Sequence, residues 1–284
     1  MSTDSPTRAD EVELPDLDDL RTALVLTLAD DELVTGHRHS HWTGVAPSLE
    51  EDLAFSTIAQ DEINHADVWY QLLVDDNGDR AAIDELGLGR RPDQYRHAVL
   101  CERPPGDFAY TLARHWCYDH FDDIRLDVLT GSDDKEIAAV ATKLRHEERY
   151  HLEHADHWFR RLVRGGDEAR ERLGEAIQEV LPEALWLFEP LPHEDSMIAE
   201  GLLPAYTGAQ LVRWLETIAP ALEEAGFGDA LPTDLTDWDR EDWQVPEGTF
   251  SEQRGRYGNH TDDFVEDVWP EMTALYREHP GASW

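Results

Sequence analysis

Two copies of one four-residue pattern constrain this chain more than anything else in it: Glu62-Ile63-Asn64-His65 and Glu148-Arg149-Tyr150-His151. A Glu and a His three residues apart share one face of a helix, with about 5–6 Å between their Cβ atoms. Both can then bind one metal ion while the carboxylate reaches toward a second. Carboxylate-bridged diiron bundles use the motif twice and take one further carboxylate from each of two partner helices. In a chain with 62 acids and 14 His a single copy would carry little. Two copies on alternate helices carry more.

Turn chemistry supplies those helices. The pattern predicts a first helix starting at Asp16–Leu20 and reaching about Trp42, where Thr43-Gly44-Val45-Ala46-Pro47 breaks it. Ser48-Leu49-Glu50-Glu51 has the form of a capping box. A second helix follows to about Val74, with Leu53, Ile58, Ala59, Ile63, Ala66, Tyr70 and Leu73 at helical spacing. Residues 75–106 read as a connection with one short helix around Ala81–Leu86. Asp107 caps a third helix to Thr130, Gly131-Ser132-Asp133 turns the chain, and a fourth runs from about Asp134 to Val163.

Helix pair, long crossover, helix pair is the connectivity of ferritin-like bundles. The expected fold is all-α: a disordered acidic segment over 1–16, a ferritin-like four-helix core over 17–164, and a C-terminal helical extension over 165–284. The extension is expected to pack on the core as part of the same domain. In it, Asp167 should cap a fifth helix with Pro182 inside or ending it, and a sixth should span roughly Thr207–Ala225. Gly228–Asn259 reads as irregular, and His260–His279 as a last helix before Pro280. No strand pattern emerges.

The partner carboxylates follow from symmetry about the turns. In an antiparallel hairpin, residues equidistant from the turn sit at one height. Glu32 and Glu62 have their midpoint at Pro47, and Asp119 and Glu148 have theirs between Asp133 and Asp134. Each candidate lies about 11–15 residues from its turn, or roughly 16–22 Å along a helix axis. The expected ligand set is therefore Glu32, Glu62, His65, Asp119, Glu148 and His151. Glu62 and Glu148 would bridge, each His would take one ion, and Glu32 and Asp119 would be terminal ligands.

The bland alternative is a set of solvated acids at fortuitous spacing. Glu32 belongs to an Asp30-Asp31-Glu32 cluster, but Leu24, Leu28 and Leu33 surround it, and an acid on an apolar stripe is buried and paired. Asp122 and Asp123 are the substitutes if Asp119 is not the ligand. His37, His39, His41, His154 and His157 read as packed or exposed residues, and Trp69 as core. No Gly-rich phosphate loop, nucleophile elbow or Cys-based metal motif occurs.

Charge sets the environment. The formal net charge is −38, and Lys135 and Lys143 are the only lysines. Such a field repels nucleic acid and anionic lipid, so neither is an expected partner. The apolar periodicity argues for folding, and a cytoplasm at high salt reconciles the two, because the Debye length falls to about 3 Å at 1 M. No apolar run approaches the ~20 residues of a membrane span. The first twenty residues are acidic and lack the features of a secretion signal. Cys101 and Cys117 alone make no disulfide framework. The expected location is a cytoplasm, that of a halophile.

Several stretches carry a resemblance. Ala29-Asp30-Asp31-Glu32-Leu33-Val34, Trp42-Thr43-Gly44, Ile58-Ala59-Gln60-Asp61-Glu62, Gly106-Asp107-Phe108-Ala109 and Glu148-Arg149-Tyr150-His151 are among them. The most discriminating is Gly255-Arg256-Tyr257-Gly258-Asn259-His260-Thr261, with Pro280-Gly281-Ala282-Ser283-Trp284 after it. Together they make the chain similar to the phenylacetic acid catabolic oxygenase proteins, ferritin-like subunits of the multicomponent phenylacetyl-CoA epoxidase. It resembles their C-type subunit more than the A-type.

The resemblance implies an A-type partner that binds a diiron centre, activates O₂ and epoxidises the ring of phenylacetyl-CoA, with a reductase beside it. It implies a scaffolding role for the C-type chain, often with a degenerate ligand set. Here all six candidate ligands are present, which departs from that pattern. The competing functions are a self-sufficient diiron oxidase or monooxygenase, and an iron-storage or ferroxidase protein. The roughly 120 residues beyond the fourth helix weigh against storage, since a cage needs little more than the bundle.

Overall fold

The computed structural model describes residues 16–74, 80–232, 235, 244–250 and 252–279, and no strand occurs among them. The expected disordered segment 1–16 and the ending 280–284 lie outside those residues, except for Asp16 itself. The α-helices are α1 (Leu20–Ser40), α2 (Leu49–Gln71), α3 (Arg80–Leu88), α4 (Val99–Glu102) and α5 (Phe108–Leu129). They continue with α6 (Lys135–Val163), α7 (Asp167–Ala184), α8 (Glu194–Ala199), α9 (Thr207–Ala225) and α10 (Trp269–Glu278).

Side-chain caps start the longest helices where the sequence places them. Asp19 accepts from Thr22 N at 2.8 Å, Asp107 from Tyr110 N at 2.9 Å, and Ser48 from Glu51 N at 3.3 Å. Asp134 accepts from the amides of both Glu136 and Ile137. Each such bond satisfies a helix-end N–H at a gain of about 1 kcal/mol. Asp167 differs from expectation: Gly166 is the cap and Asp167 the first helical residue. Its carboxylate still meets the positive end of the helix dipole.

The last helix also differs. Asp263–Val268 is a π-helical turn, and only Trp269–Glu278 is α-helical. Pro270 brings no N–H and would clash with the carbonyl four residues back in a regular helix. The wider turn before it accommodates the ring. The short α4 and α8 have too few residues to show a period and were not anticipated.

Two compact units emerge, Met1–Pro104 with Arg254–Trp284, and Pro105–Gln253. The boundaries expected from sequence, 17–164 and 165–284, cut across both. In the first unit α1 lies along α2. Every residue of α1 from Ala23 to Gly36 is buried, so this helix is enclosed on all sides despite three consecutive acids. In the second unit α5 packs against α6, α7 and α9. Trp214 ties that packing down, donating its indole N–H to the Cys117 carbonyl at 3.1 Å while its ring meets Phe188. No described helix is long and apolar enough to cross a membrane.

Candidate metal centre

Within the first unit, Glu32 on α1 and Glu62 and His65 on α2 are buried, and ligand atoms from the three lie within 4.8 Å of one another. Gly36, one turn after Glu32, makes this approach feasible. A Cβ there would stand 2.8 Å from the Glu62 Cβ and 3.0 Å from the Ala59 carbonyl. The two helices therefore touch where the carboxylates face each other. Trp69, one turn beyond His65, is fully buried, as a core residue should be.

The other two acids of the α1 cluster are buried as well, but they serve the architecture. Asp30 accepts from the Arg90 guanidinium, the Tyr70 hydroxyl and the Arg96 amide. Arg90 also lies 4.2 Å from the Tyr95 ring centroid and donates to the Gln94 carbonyl at 2.9 Å. Asp31 accepts from the Ala98 amide at 2.8 Å and from Arg256 at 2.7 Å. Both carboxylates are thus spent on holding the crossover and the 254–261 segment against α1. Glu32 is the one acid of the three directed to Glu62 and His65.

The 255–261 segment is a wedge in the crossover. Gly255 rests so close to the His97 carbonyl that a Cβ would lie 2.0 Å from it. His260 stacks on His97 with ring centroids 4.0 Å apart. Its Nδ1 meets Glu102 at 2.9 Å and its Nε2 the Tyr95 carbonyl at 3.0 Å. Glu102 also accepts from the Thr261 amide at 2.9 Å. Burial alone would raise the Glu102 pKa, but the hydrogen bonds from His260 and His97 outweigh it and hold the carboxyl well below its usual range.

Within the second unit, Asp119 on α5 and Glu148 and His151 on α6 are likewise buried. His151 Nδ1 lies 2.7 Å from its own motif partner Glu148, and His115 Nδ1 lies 3.1 Å from Asp119. Burial pushes the Asp119 pKa far up, His151 opposes this and Glu148 adds to it. Burial first, and then His151, pushes His115 down to about 3. Burial of this kind disfavours the charged carboxylate, and a nearby cation favours it.

The two substitutes for Asp119 are committed elsewhere. Asp122 is paired with Arg125 one turn along, at 2.9 Å, and Asp123 with Arg145 of α6 at 2.9 Å. His115 was missed by the sequence reading. It belongs to no spaced motif, and only its position four residues before Asp119 places it on the same face. Among the other histidines, His39 packs edge-on against Phe55, His154 approaches His115 at 3.4 Å, and His157 meets Trp158. His37 and His41 face Glu271.

The donors amount to a Glu/Glu/His triad whose ligand atoms converge in one unit and a looser Asp/Glu/His triad in the other, where His151 meets Glu148 and Asp119 meets His115, all buried. Hard oxygen donors with imidazole suit iron or manganese, and no thiolate is part of either triad. Helices alone among the described residues, with these side chains on two helix pairs, make this a protein of the ferritin-like helical class. The chain belongs to the phenylacetic acid catabolic protein family, whose match spans residues 6–284. It is 30% identical over 265 residues to the C-type subunit of the 1,2-phenylacetyl-CoA epoxidase of Escherichia coli (strain K12). That alignment covers 93% of this chain and 98% of the relative.

Proposed function

We propose that this chain is the C-type subunit of a multicomponent phenylacetyl-CoA epoxidase acting in aerobic phenylacetate catabolism. It would pair with an A-type ferritin-like subunit and serve with a reductase, phenylacetyl-CoA being the substrate of the complex. The observation that carries this reading is the alignment with the C-type subunit of such an epoxidase along 98% of that relative. A line of exposed apolar residues on and before α2, Val45, Leu49, Leu53 and Ile63, supplies a face suited to a protein partner. Co-expression with an A-type chain should yield a stable heteromer. Recovery of a monomer with that chain present would overturn the pairing.

Glu32, Glu62 and His65, with Asp119, Glu148 and His151, are the residues we propose as ligands of two iron ions. Burial of all six side chains supports this reading. Bound iron supplies the capacity to activate O₂. The residues themselves exclude water and fix the donors: Gly36 sets Glu62 opposite Glu32, and His115 orients Asp119. Anaerobic iron titration should saturate near two equivalents, and His65→Ala should lose one. Saturation at zero in the wild-type chain leaves a scaffold only.

The complete donor set also favours the second reading, a self-sufficient diiron oxidase or monooxygenase. A phenylacetate-grown deletion strain complemented with His65→Ala separates the two, since a scaffold restores growth without its ligand. Iron storage has no observation in its favour. The charge of −38 supports a salt-rich cytoplasm as the protein's setting, and melting temperature should then rise along a KCl series. A flat series would contradict that placement.

A further inference from the structure

His37 and His41 stand one helical turn apart at the end of α1, and Glu271 reaches them from the first turn of α10. All three belong to the first unit. Glu271 Oε2 lies 3.7 Å from His37 Nε2 and 3.2 Å from His41 Nε2, and the three donor atoms fall within 4.8 Å of one another. The imidazoles meet edge-on at 5.1 Å between centroids. The histidines are partly buried and Glu271 is exposed, so an ion could enter from solvent.

We propose that His37, His41 and Glu271 form a second metal site, separate from the buried triads, for one zinc-class divalent ion. Two imidazoles and one carboxylate are a recurrent zinc donor set, at about 2.0–2.2 Å from the ion. Tetrahedral geometry at that radius puts donors about 3.3–3.5 Å apart, and the two observed separations bracket this range. Three protein donors leave the fourth position of the ion to water.

Hydrolytic sites with histidines at this spacing place a glutamate directly after the first histidine as general base. Here that position is Arg38, committed to the Glu102 carbonyl at 2.7 Å and to Asp267 at 2.9 Å. The residue that would activate the water is thus a cation engaged elsewhere. The site is therefore a clip that fastens α10 to α1, in a segment otherwise tied down by Arg38 and the π-helical turn.

Equilibrium dialysis of EDTA-stripped full-length protein against zinc tests this. The wild type should bind one equivalent more than His41→Gln, and Glu271→Gln should weaken that equivalent tenfold or more. His65→Ala should retain it, which separates it from zinc entering the buried triads. Zinc should also raise the melting temperature of the wild type above that of Glu271→Gln, an exposed position that leaves folding intact. Equal zinc stoichiometry in the wild type, His41→Gln and Glu271→Gln would overturn the proposal.

Discussion

Three acids on α1 and three on α5 form sequence clusters of similar make-up, Asp30-Asp31-Glu32 and Asp119 with Asp122-Asp123. In each cluster one acid is a candidate ligand and the other two are paired with arginine. The arginines come from different distances. On α5 they are near: Arg125 is three residues away and Arg145 lies on the next helix. On α1 they are remote, Arg90 from the crossover and Arg256 from beyond the whole second unit. Local pairs steady a helix that already has its neighbours. Remote pairs decide whether α1 gains neighbours beyond α2, because the crossover and the 255–261 wedge meet it through those two carboxylates.

The largest effect should come from breaking a remote pair. Arg256→Ala takes the guanidinium away from buried Asp31 and leaves its charge to amide donors such as Ala98, at a cost of about 3–5 kcal/mol. Chemical denaturation would read it, and a loss below about 1 kcal/mol would end the idea that the wedge fastens α1. Gly36→Ala sharpens the comparison at the candidate ligands. The added methyl meets the Glu62 Cβ and the Ala59 carbonyl, so overpacking should cost about 1–3 kcal/mol. It should also lower the iron equivalents bound. Unchanged binding would show that the α1–α2 approach does not set the ligand geometry.

A smaller effect concerns acid. The Glu102 pKa is depressed below its ordinary 4.5, so its contribution is fully present above that pH and is lost as the pH falls toward the folded value. The facing groups are His97, His260 and Thr261. Urea midpoints of wild type and Glu102→Gln should differ at neutral pH and converge as the pH is lowered. Parallel curves would count against the linkage. Smallest of all, Arg145→Ala removes half-exposed contacts to Asp123 and Asp127. It should cost about 0–1 kcal/mol, and a larger loss would erase the contrast between near and remote pairing.

What the sequence made legible was local. Caps, turn residues and periodicity placed α1, α2, α5, α6 and α9 within a few residues, because each signal acts over one or two turns. The two Glu-x-x-His motifs and the symmetry of Glu32 and Asp119 about their turns drew attention to six residues that are all buried. The fate of Asp30 and Asp31 was not legible, since their cations lie up to 225 residues away in sequence. For the same reason the 255–261 stretch could be noticed only as a distinctive string. Its physical role appears once Gly255 is seen against the His97 carbonyl and His260 against Glu102. The π-helical turn escaped because its cause, Pro270, reads equally well as the first turn of a new helix.

The first unit is discontinuous in the chain, and this sets a timetable. A ribosome that has released residues 1–104 must still add the stretch 105–253 before the first residue of the wedge appears. At about 5–20 residues per second that takes roughly 7–30 s. During that interval Asp31 has no Arg256, and a nascent α1 must wait or be sheltered by a chaperone. The second unit, contiguous in sequence, can close meanwhile. Its Asp/Glu/His triad would then be assembled first during synthesis, and the Glu/Glu/His triad on α1 and α2 last.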